Sequence, residues 1–318
     1  METDKPLVSI LMAVYKPNID WLKQQLKSLN DQKYPNLELL ICDDCPEFPV
    51  DEKIFSEFIT NFPFKIFRNE KNLGSSKVFE KLTEIAGGKY ISYCDQDDIW
   101  FPEKISECYK TLIETKALLV CSDMMIIDFG GNKIAGSITD IRKTHKFYSG
   151  DNMFEYLLAK NFVTGCTMLV TAEIAKQAVP FVENMVHDHW IALCAANQGR
   201  IETVKKPLLY YRVHGGNQTD FLKNSDNKSD YINERIIKYF LRMSEIQKRF
   251  SDNEYVKKYY EWSKARKAYS EKEKGSALLL WKLRNLNKKT TYFELFALRL
   301  PYKLFEFAIK IVKKSNSK

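Results

Sequence analysis

Nowhere in the 318 residues is there an uninterrupted apolar run of about 18, the length an α-helix needs to cross a bilayer. The apolar stretch at 7–15 is short and has neither a basic lead nor a small-residue cleavage site. It does not read as a secretory leader, and a cytoplasmic location is expected. A disulfide framework is also missing. The seven cysteines (42, 45, 94, 108, 121, 166 and 194) are odd in number and scattered through apolar runs, the usage of reduced thiols. Cys42 and Cys45 form a CxxC with no second pair, and it encloses Asp43 and Asp44, which argues against zinc or redox chemistry. Internal repeats and low-complexity tracts are absent. With 45% apolar and 28% charged residues the composition excludes disordered and fibrous classes.

What is present is an uneven charge. Residues 221–318 carry 24 Lys or Arg against 11 Asp or Glu, a net of +13, whereas residues 1–220 carry 25 against 30, a net of −5. The two parts therefore face different partners. The boundary also marks a change of pattern. Before it, apolar runs at 8–14, 37–42, 64–68 and 90–94 alternate with helical spacing at 19–29, 51–62, 76–86 and 103–115. Further strands are predicted at 117–122, 161–171 and 201–212, and a helix at 190–197. This alternation predicts an α/β domain over 1–220, with a mainly parallel sheet covered by helices on both faces and ligands outside the carboxyl ends of the strands. After about residue 229 the pattern becomes helical, rich in Lys, Arg, Tyr and Glu. In its last segment, 302–314, Lys303, Glu306, Lys310, Lys313 and Lys314 take one face and apolar residues the rest. That spacing suits either a helix packed on its own domain or one lying in a membrane interface.

The acidic residues fall at predicted strand ends. Asp95, Asp97 and Asp98 follow the run KYISYC, and three carboxylates within four positions repel one another unless a cation sits among them. Oxygen ligands of this kind suit Mg²⁺ or Mn²⁺, which also bind diphosphate; a solvated acidic turn is the alternative. Asp43 and Asp44 follow LELLIC and suit recognition of a base imide or a ribose hydroxyl, or alternatively turn formation. Asp188, in His187-Asp188-His189-Trp190, sits where a carboxylate serves as general base or as a helix cap. His214 lies on the glycine-rich stretch YRVHGGN, from which an imidazole reaches a metal-diphosphate.

Taken in order, VSILMAVYKP, LLICDD, NEKNLGSSK, GGKYISYCDQDDIWFPEK, NFVTGCTML, HDHW and YRVHGGN resemble a family 2 glycosyltransferase of the GT-A fold over about residues 7–217. Within that family the motifs are similar to those of bacterial polysaccharide rhamnosyltransferases. The resemblance implies a Rossmann-like mixed sheet with a helical C-terminal region. It implies donor contacts from Ala13, Tyr15, Asp43, Asp44, Lys77, Asp95, Thr164 and Gly165, and metal contacts from Asp95, Asp97 and His214. Asp188 matches the general base, with Asp98, Trp100, His187 and Trp190 as acceptor or supporting residues. The sequence departs from the family where an Arg-Asn pair often follows the NLG turn: here stand Val78 and Phe79. The Q-x-x-R-W signature of processive members is also missing, so one sugar per encounter is expected.

The implied activity is inverting, metal-dependent transfer of a sugar, rhamnose from dTDP-rhamnose in the first instance and a UDP-sugar in the second, to a hydroxyl of a lipid-linked glycan. The basic C-terminal helices would meet the inner membrane surface, and the tyrosine-rich helices at 231–270 would pack on the catalytic domain or on a twin chain. Nucleic acid is not expected, because the modules that bind it leave aromatic and glycine patterns absent here. Two rivals are weighed. A nucleotidyltransferase needs a glycine-rich basic loop after the first strand, where Tyr15-Lys16-Pro17-Asn18 stands. A non-catalytic nucleotide or glycan binding protein has no use for carboxylates at 95, 97 and 188.

Overall fold

A computed structural model describes residues 5–215 and 225–316, with side chains to residue 313. Gly216, Asn217, the Lys314 side chain and the boundary expected at 220/221 lie outside these. The chain forms two compact units, one of Met1–Phe181 with Val186–Gly215, the other of Val182–Met185 with Gly216–Lys318.

The first unit is an α/β layer structure. Its strands are β1 (Val8–Val14), β2 (Leu37–Asp43), β3 (Phe64–Arg68), β4 (Tyr90–Cys94), β5 (Ile99–Trp100), β6 (Leu119–Ile127), β7 (Lys133–Ala135), β8 (Leu169–Thr171) and β9 (Ile201–Arg212). Its helices are α1 (Ile19–Asn30), α2 (Glu52–Phe58), α3 (Ser75–Ile85), α4 (Lys104–Thr115), α5 (Ile138–Ile141), α6 (Phe154–Ala159), α7 (Ala172–Gln177) and α8 (His187–Gln198). The strand order is β3-β2-β1-β4-β8-β6-β9-β5, and β7 pairs with the end of β6 off this path. β1 lies between two parallel neighbours, β2 and β4, and is apolar on both faces because helices cover both. Helix α1 starts at Asn18, whose side chain accepts from the Asp20 and Trp21 backbone N–H groups, and it buries Leu22, Leu26 and Leu29.

The sheet corrects the expectation of mainly parallel pairing. Among the described strands four pairings are parallel and four antiparallel, since β5, β7 and β8 are short return segments. The strand expected at 161–171 shrinks to β8. Upstream of it, the Asn161 side chain binds both backbone groups of Val163, and the Thr164 carbonyl accepts from the Thr167 backbone N–H and hydroxyl. These local bonds compete successfully with a sheet ladder, leaving an irregular segment and one 3₁₀ turn at Gly165–Thr167. The helix expected at 51–62 stops at Phe58, where Ile59 turns extended and Asn30 takes the Thr60 and Asn61 backbone N–H groups.

The second unit contains α9 (Lys228–Tyr231), which continues through a π-wound turn at Ile232–Ile237 into α10 (Lys238–Arg249). Then come α11 (Glu254–Ser270), α12 (Ser276–Lys282), α13 (Lys288–Ala297) and α14 (Tyr302–Asn316). Its centre is polar. Arg266 makes a two-pronged ion pair with Glu294, through Nε to Oε2 at 2.8 Å and Nη2 to Oε1 at 2.5 Å, and the Tyr231 hydroxyl donates to the same carboxylate. Among the described residues no helix is long and apolar enough to cross a membrane.

Candidate active site

The carboxyl ends of β1, β2 and β4 meet the start of α8 and the end of β9, and the motif residues gather there. The loop after β4 carries Asp95 to Asp98. Asp98 is fully buried, and one of its oxygens accepts from the Arg212 backbone N–H at 3.1 Å. Asp97 faces outward enough to bond His214, with Nε2 to Oδ2 at 2.7 Å. Asp95 is half-buried. Its carboxyl is raised to about 7, first by burial and then by the charges of Asp97 and Asp188. Donor atoms of Asp95, Asp98 and Cys166 lie within 4.8 Å of one another.

Those features test whether a divalent ion fits. Burial and two neighbouring carboxylates make the charged form of Asp95 costly, and a cation among them would offset that cost. The neighbouring donors are two carboxylates, which suit Mg²⁺ or Mn²⁺, and the Cys166 thiol, which does not. Among the described residues, Asp95 and Asp98 are the carboxylates that lie close enough together to share a divalent ion, while Asp97, on the same loop, is bonded to His214.

Asp188 occupies the first turn of α8 and is buried. Its Oδ2 accepts from the Gly165 backbone N–H at 3.0 Å and its Oδ1 from the Asn161 amide at 3.1 Å. Burial raises its carboxyl to about 6, with those two bonds and the His189 backbone N–H pulling the other way. A carboxylate with this affinity is ionised at neutral pH yet basic enough to accept a proton. Gly165 is needed for close approach: a β-carbon there would lie 2.6 Å from His187 Nε2. His187 packs at a tilt against Phe79 and Tyr93, with ring centres 4.3 and 5.0 Å away, and burial lowers it to about 3, so it is a neutral support. Val78 and Phe79, which replace the family's polar pair, are buried.

The remaining expected residues divide. Tyr15 is exposed after β1, and its backbone is clamped by Gln96, whose amide accepts from the Tyr15 N–H at 2.8 Å and donates to its carbonyl at 3.0 Å. Ala13 pairs with Cys42 beside it, and Thr164 is half-buried next to Gly165. Asp44 is buried, and its carboxylate takes the Asn69 amide and the Leu73 and Gly74 backbone N–H groups at 2.7 to 3.1 Å, so it shapes the turn before α3. Asp43 accepts from Cys45 and Val50 backbone N–H groups and from Arg68. Lys77 pairs with Glu80 on its own helix. Trp190 is buried, with its indole N–H on the Ala178 carbonyl. Trp100 is buried beneath the Lys104 ammonium, 3.4 Å from the ring centre. All seven cysteines are free and buried, and burial pushes Cys42 up to about 11, so the CxxC holds thiols.

Sequence reasoning missed Gln96 and Arg212. Arg212 is buried and holds the Asp97 carbonyl through Nε, the carbonyls of Asp128 and Phe129 through Nη1 and Gln24 through Nη2. It stitches the Asp95–Asp98 loop to α1 and to the turn after β6. Both residues lay inside quoted motifs, but nothing in a linear string says that a side chain will clamp backbone 81 or 115 positions away.

The mixed sheet, with carboxylates gathered at its strand ends, has the architecture of a GT-A-type fold. The model of the family "Glycosyl transferase family 2" matches residues 9–177, more than half of the chain, and the chain belongs to that family and is a transferase. An uncharacterized glycosyltransferase, MJ1057, of Methanocaldococcus jannaschii is 30% identical over 218 residues, 67% of this chain and 72% of the relative. The Escherichia coli UDP-Glc:alpha-D-GlcNAc-diphosphoundecaprenol beta-1,3-glucosyltransferase WfgD is 26% identical over 61% of this chain and 72% of its own length. The Shigella flexneri dTDP-rhamnosyl transferase RfbG is 24% identical over 77% and 86%. Among solved structures, Staphylococcus aureus TarS 1-349 in complex with UDP-GlcNAc superposes with a TM-score of 0.61 at 15% identity, over 97% of this chain and 90% of that one, and shows the shared fold.

Proposed function

We propose that the protein transfers one sugar, with inversion, from a nucleoside-diphosphate sugar to a hydroxyl of a lipid-linked glycan in polysaccharide synthesis. The observation that carries this reading is the convergence of Asp188, with its carboxyl near 6, on the same strand ends as Asp95, Asp97 and His214. Asp188 accepts the proton of the acceptor hydroxyl while that oxygen attacks the anomeric carbon. The bond to the diphosphate breaks on the opposite face, and the nucleoside diphosphate leaves. Gly165 and Asn161 hold Asp188 in place, and Tyr15, Ala13 and Thr164 border the donor, whose base lies by Tyr15. Asp95, Asp97 and His214 would hold a divalent ion, which when bound would supply charge neutralisation for the departing diphosphate.

The donor is proposed to be dTDP-rhamnose, which the motif pattern and the likeness to RfbG support. A UDP-sugar is the second reading, favoured by the likeness to WfgD, whose name also carries a diphosphoundecaprenol acceptor. A release assay separates them: the protein is mixed with Mn²⁺ or Mg²⁺ and a panel of dTDP- and UDP-sugars, with Asp97→Ala as control. Metal-dependent release of nucleoside diphosphate from one donor, lost in the control, is the expected result. Absence of release together with absence of metal-dependent nucleotide binding overturns the reading in favour of a binding protein.

A further inference from the structure

The lysines of the helical unit fall into two groups. On α10 and α11 and the turn before them, Lys238, Lys248, Lys257, Lys264 and Lys267 each pair with a glutamate three or four positions away. Lys258, Lys272 and Lys274 are in no ion pair among the described residues, and beyond Ser276 Lys313 pairs with Asp226. Lys282, Lys288, Lys289, Lys303 and Lys310 are exposed and belong to no ion pair among the described residues. Residues 276–313 contain only two acidic side chains, Glu294, buried against Arg266, and Glu306. The same helices expose large apolar side chains. Phe296 is 68% exposed, Phe307 65% and Leu278 61%, and Leu304 and Ile311 stand on the outer face of α14 while Phe305 and Ile309 fill its inner face. Trp281 and Tyr292 pack ring to ring, 5.7 Å apart, and both are exposed.

We propose that α12, α13 and α14 form a docking surface for an anionic lipid bilayer. Exposed phenylalanine and leucine are poorly solvated, and along α14 Leu304, Phe307 and Ile311 are interleaved with Lys303 and Lys310, which attract acidic headgroups. Tryptophan and tyrosine with one apolar and one polar edge suit the headgroup boundary. An acidic nucleic acid would use the lysines but leave the aliphatic side chains in water. The surface attaches reversibly, since neither one amphipathic helix nor a few charges alone gives stable anchoring. This inference goes beyond the transfer reaction and does not depend on it, because lipid binding needs no donor.

The test is flotation of the full chain with vesicles of phosphatidylcholine alone or mixed with phosphatidylglycerol, at low and high salt. The protein is expected to float with the anionic vesicles, less at high salt, and not with the neutral ones. Phe296→Glu/Phe307→Glu is expected to weaken binding about tenfold or more, and Lys303→Glu/Lys310→Glu to act in the same direction. Each changes only exposed positions, and circular dichroism checks the fold; Leu304→Ser serves if the double variant is unstable. No flotation with anionic vesicles overturns the proposal, as does flotation that these variants leave unchanged. A concentration-dependent dimer in sedimentation that Phe307→Glu dissolves overturns it too, assigning the surface to a second copy.

Discussion

Replacing Gly165 with alanine is the sharpest perturbation of the proposed base. The new methyl carbon would stand 2.6 Å from His187 Nε2, 3.0 Å from Cε1 and 3.7 Å from the Asp188 β-carbon. The first of these is roughly 1 Å inside ordinary contact distance. His187 has little room to retreat, because its ring is buried between Phe79 and Tyr93. If instead the Gly165 backbone withdraws, its N–H leaves Asp188 Oδ2, now 3.0 Å away. Either adjustment moves or re-orients Asp188 by a sizeable fraction of an ångström. Overpacking of this kind costs about 1–3 kcal/mol of stability, and a catalytic group misplaced by about 1 Å loses on the order of 100-fold in rate. The assay is kcat for nucleoside diphosphate release in the presence of acceptor, with donor affinity and thermal melting measured beside it. The expected outcome is a folded protein, a kcat lower by about 100-fold, and partial recovery when His187→Ala is added to relieve the clash. A Gly165→Ala enzyme that transfers at nearly the parental rate refutes the argument that Gly165 and His187 fix the base.

Three further outcomes follow from the same geometry. With Asp188 raised to about 6, kcat should fall tenfold per unit as pH drops below about 6, because the protonated carboxyl cannot accept a proton. A carboxyl raised on folding lowers stability as pH rises from its ordinary value of 3.8 towards 6, so this acid limb is not unfolding; a kcat flat to pH 5 contradicts it. Gln96→Ala removes both bonds to the Tyr15 backbone, worth about 1–2 kcal/mol together, and should raise the donor KM several-fold while leaving metal affinity unchanged, measured by steady-state kinetics and calorimetry. Glu294→Ala leaves the Arg266 guanidinium buried without its ion pair and should cost about 3–5 kcal/mol in chemical denaturation, against a negligible change if the pair were a surface ornament.

Strands of five or more residues were legible whether buried on both faces, as β1 and β4 are, or partly exposed, as β3 and β9 are, although β6, expected at 117–122, runs on to Ile127. The runs at 8–14, 64–68 and 90–94 match β1, β3 and β4 to the residue, and 201–212 matches β9. Short antiparallel strands were not legible: β5 has two residues and β7 three, too few for a period to show. The lost strand at 161–168 teaches the same point from the other side, since Asn161 and Thr167 offered the backbone local partners that an apolar pattern does not reveal. At the site, the carboxylates announced themselves by chemistry and position at strand ends. Their division of labour did not. Asp44 turns its oxygens to backbone N–H groups 29 and 30 positions away, Asp98 accepts from the Arg212 backbone 114 positions away, and Asp97 meets His214 117 positions away; such choices depend on the fold and not on neighbours in sequence.

The central claim is that Asp188 is the base, and Asp188→Asn tests it most directly. The amide keeps the size and one acceptor oxygen of the carboxylate but cannot take up a proton at neutral pH. Transfer to acceptor and calorimetric binding of the donor with Mn²⁺ are measured on the same preparation. The account predicts transfer lower by about 10²–10⁴-fold with donor affinity preserved. Transfer that survives the substitution, or donor binding that disappears along with it, would contradict the assignment.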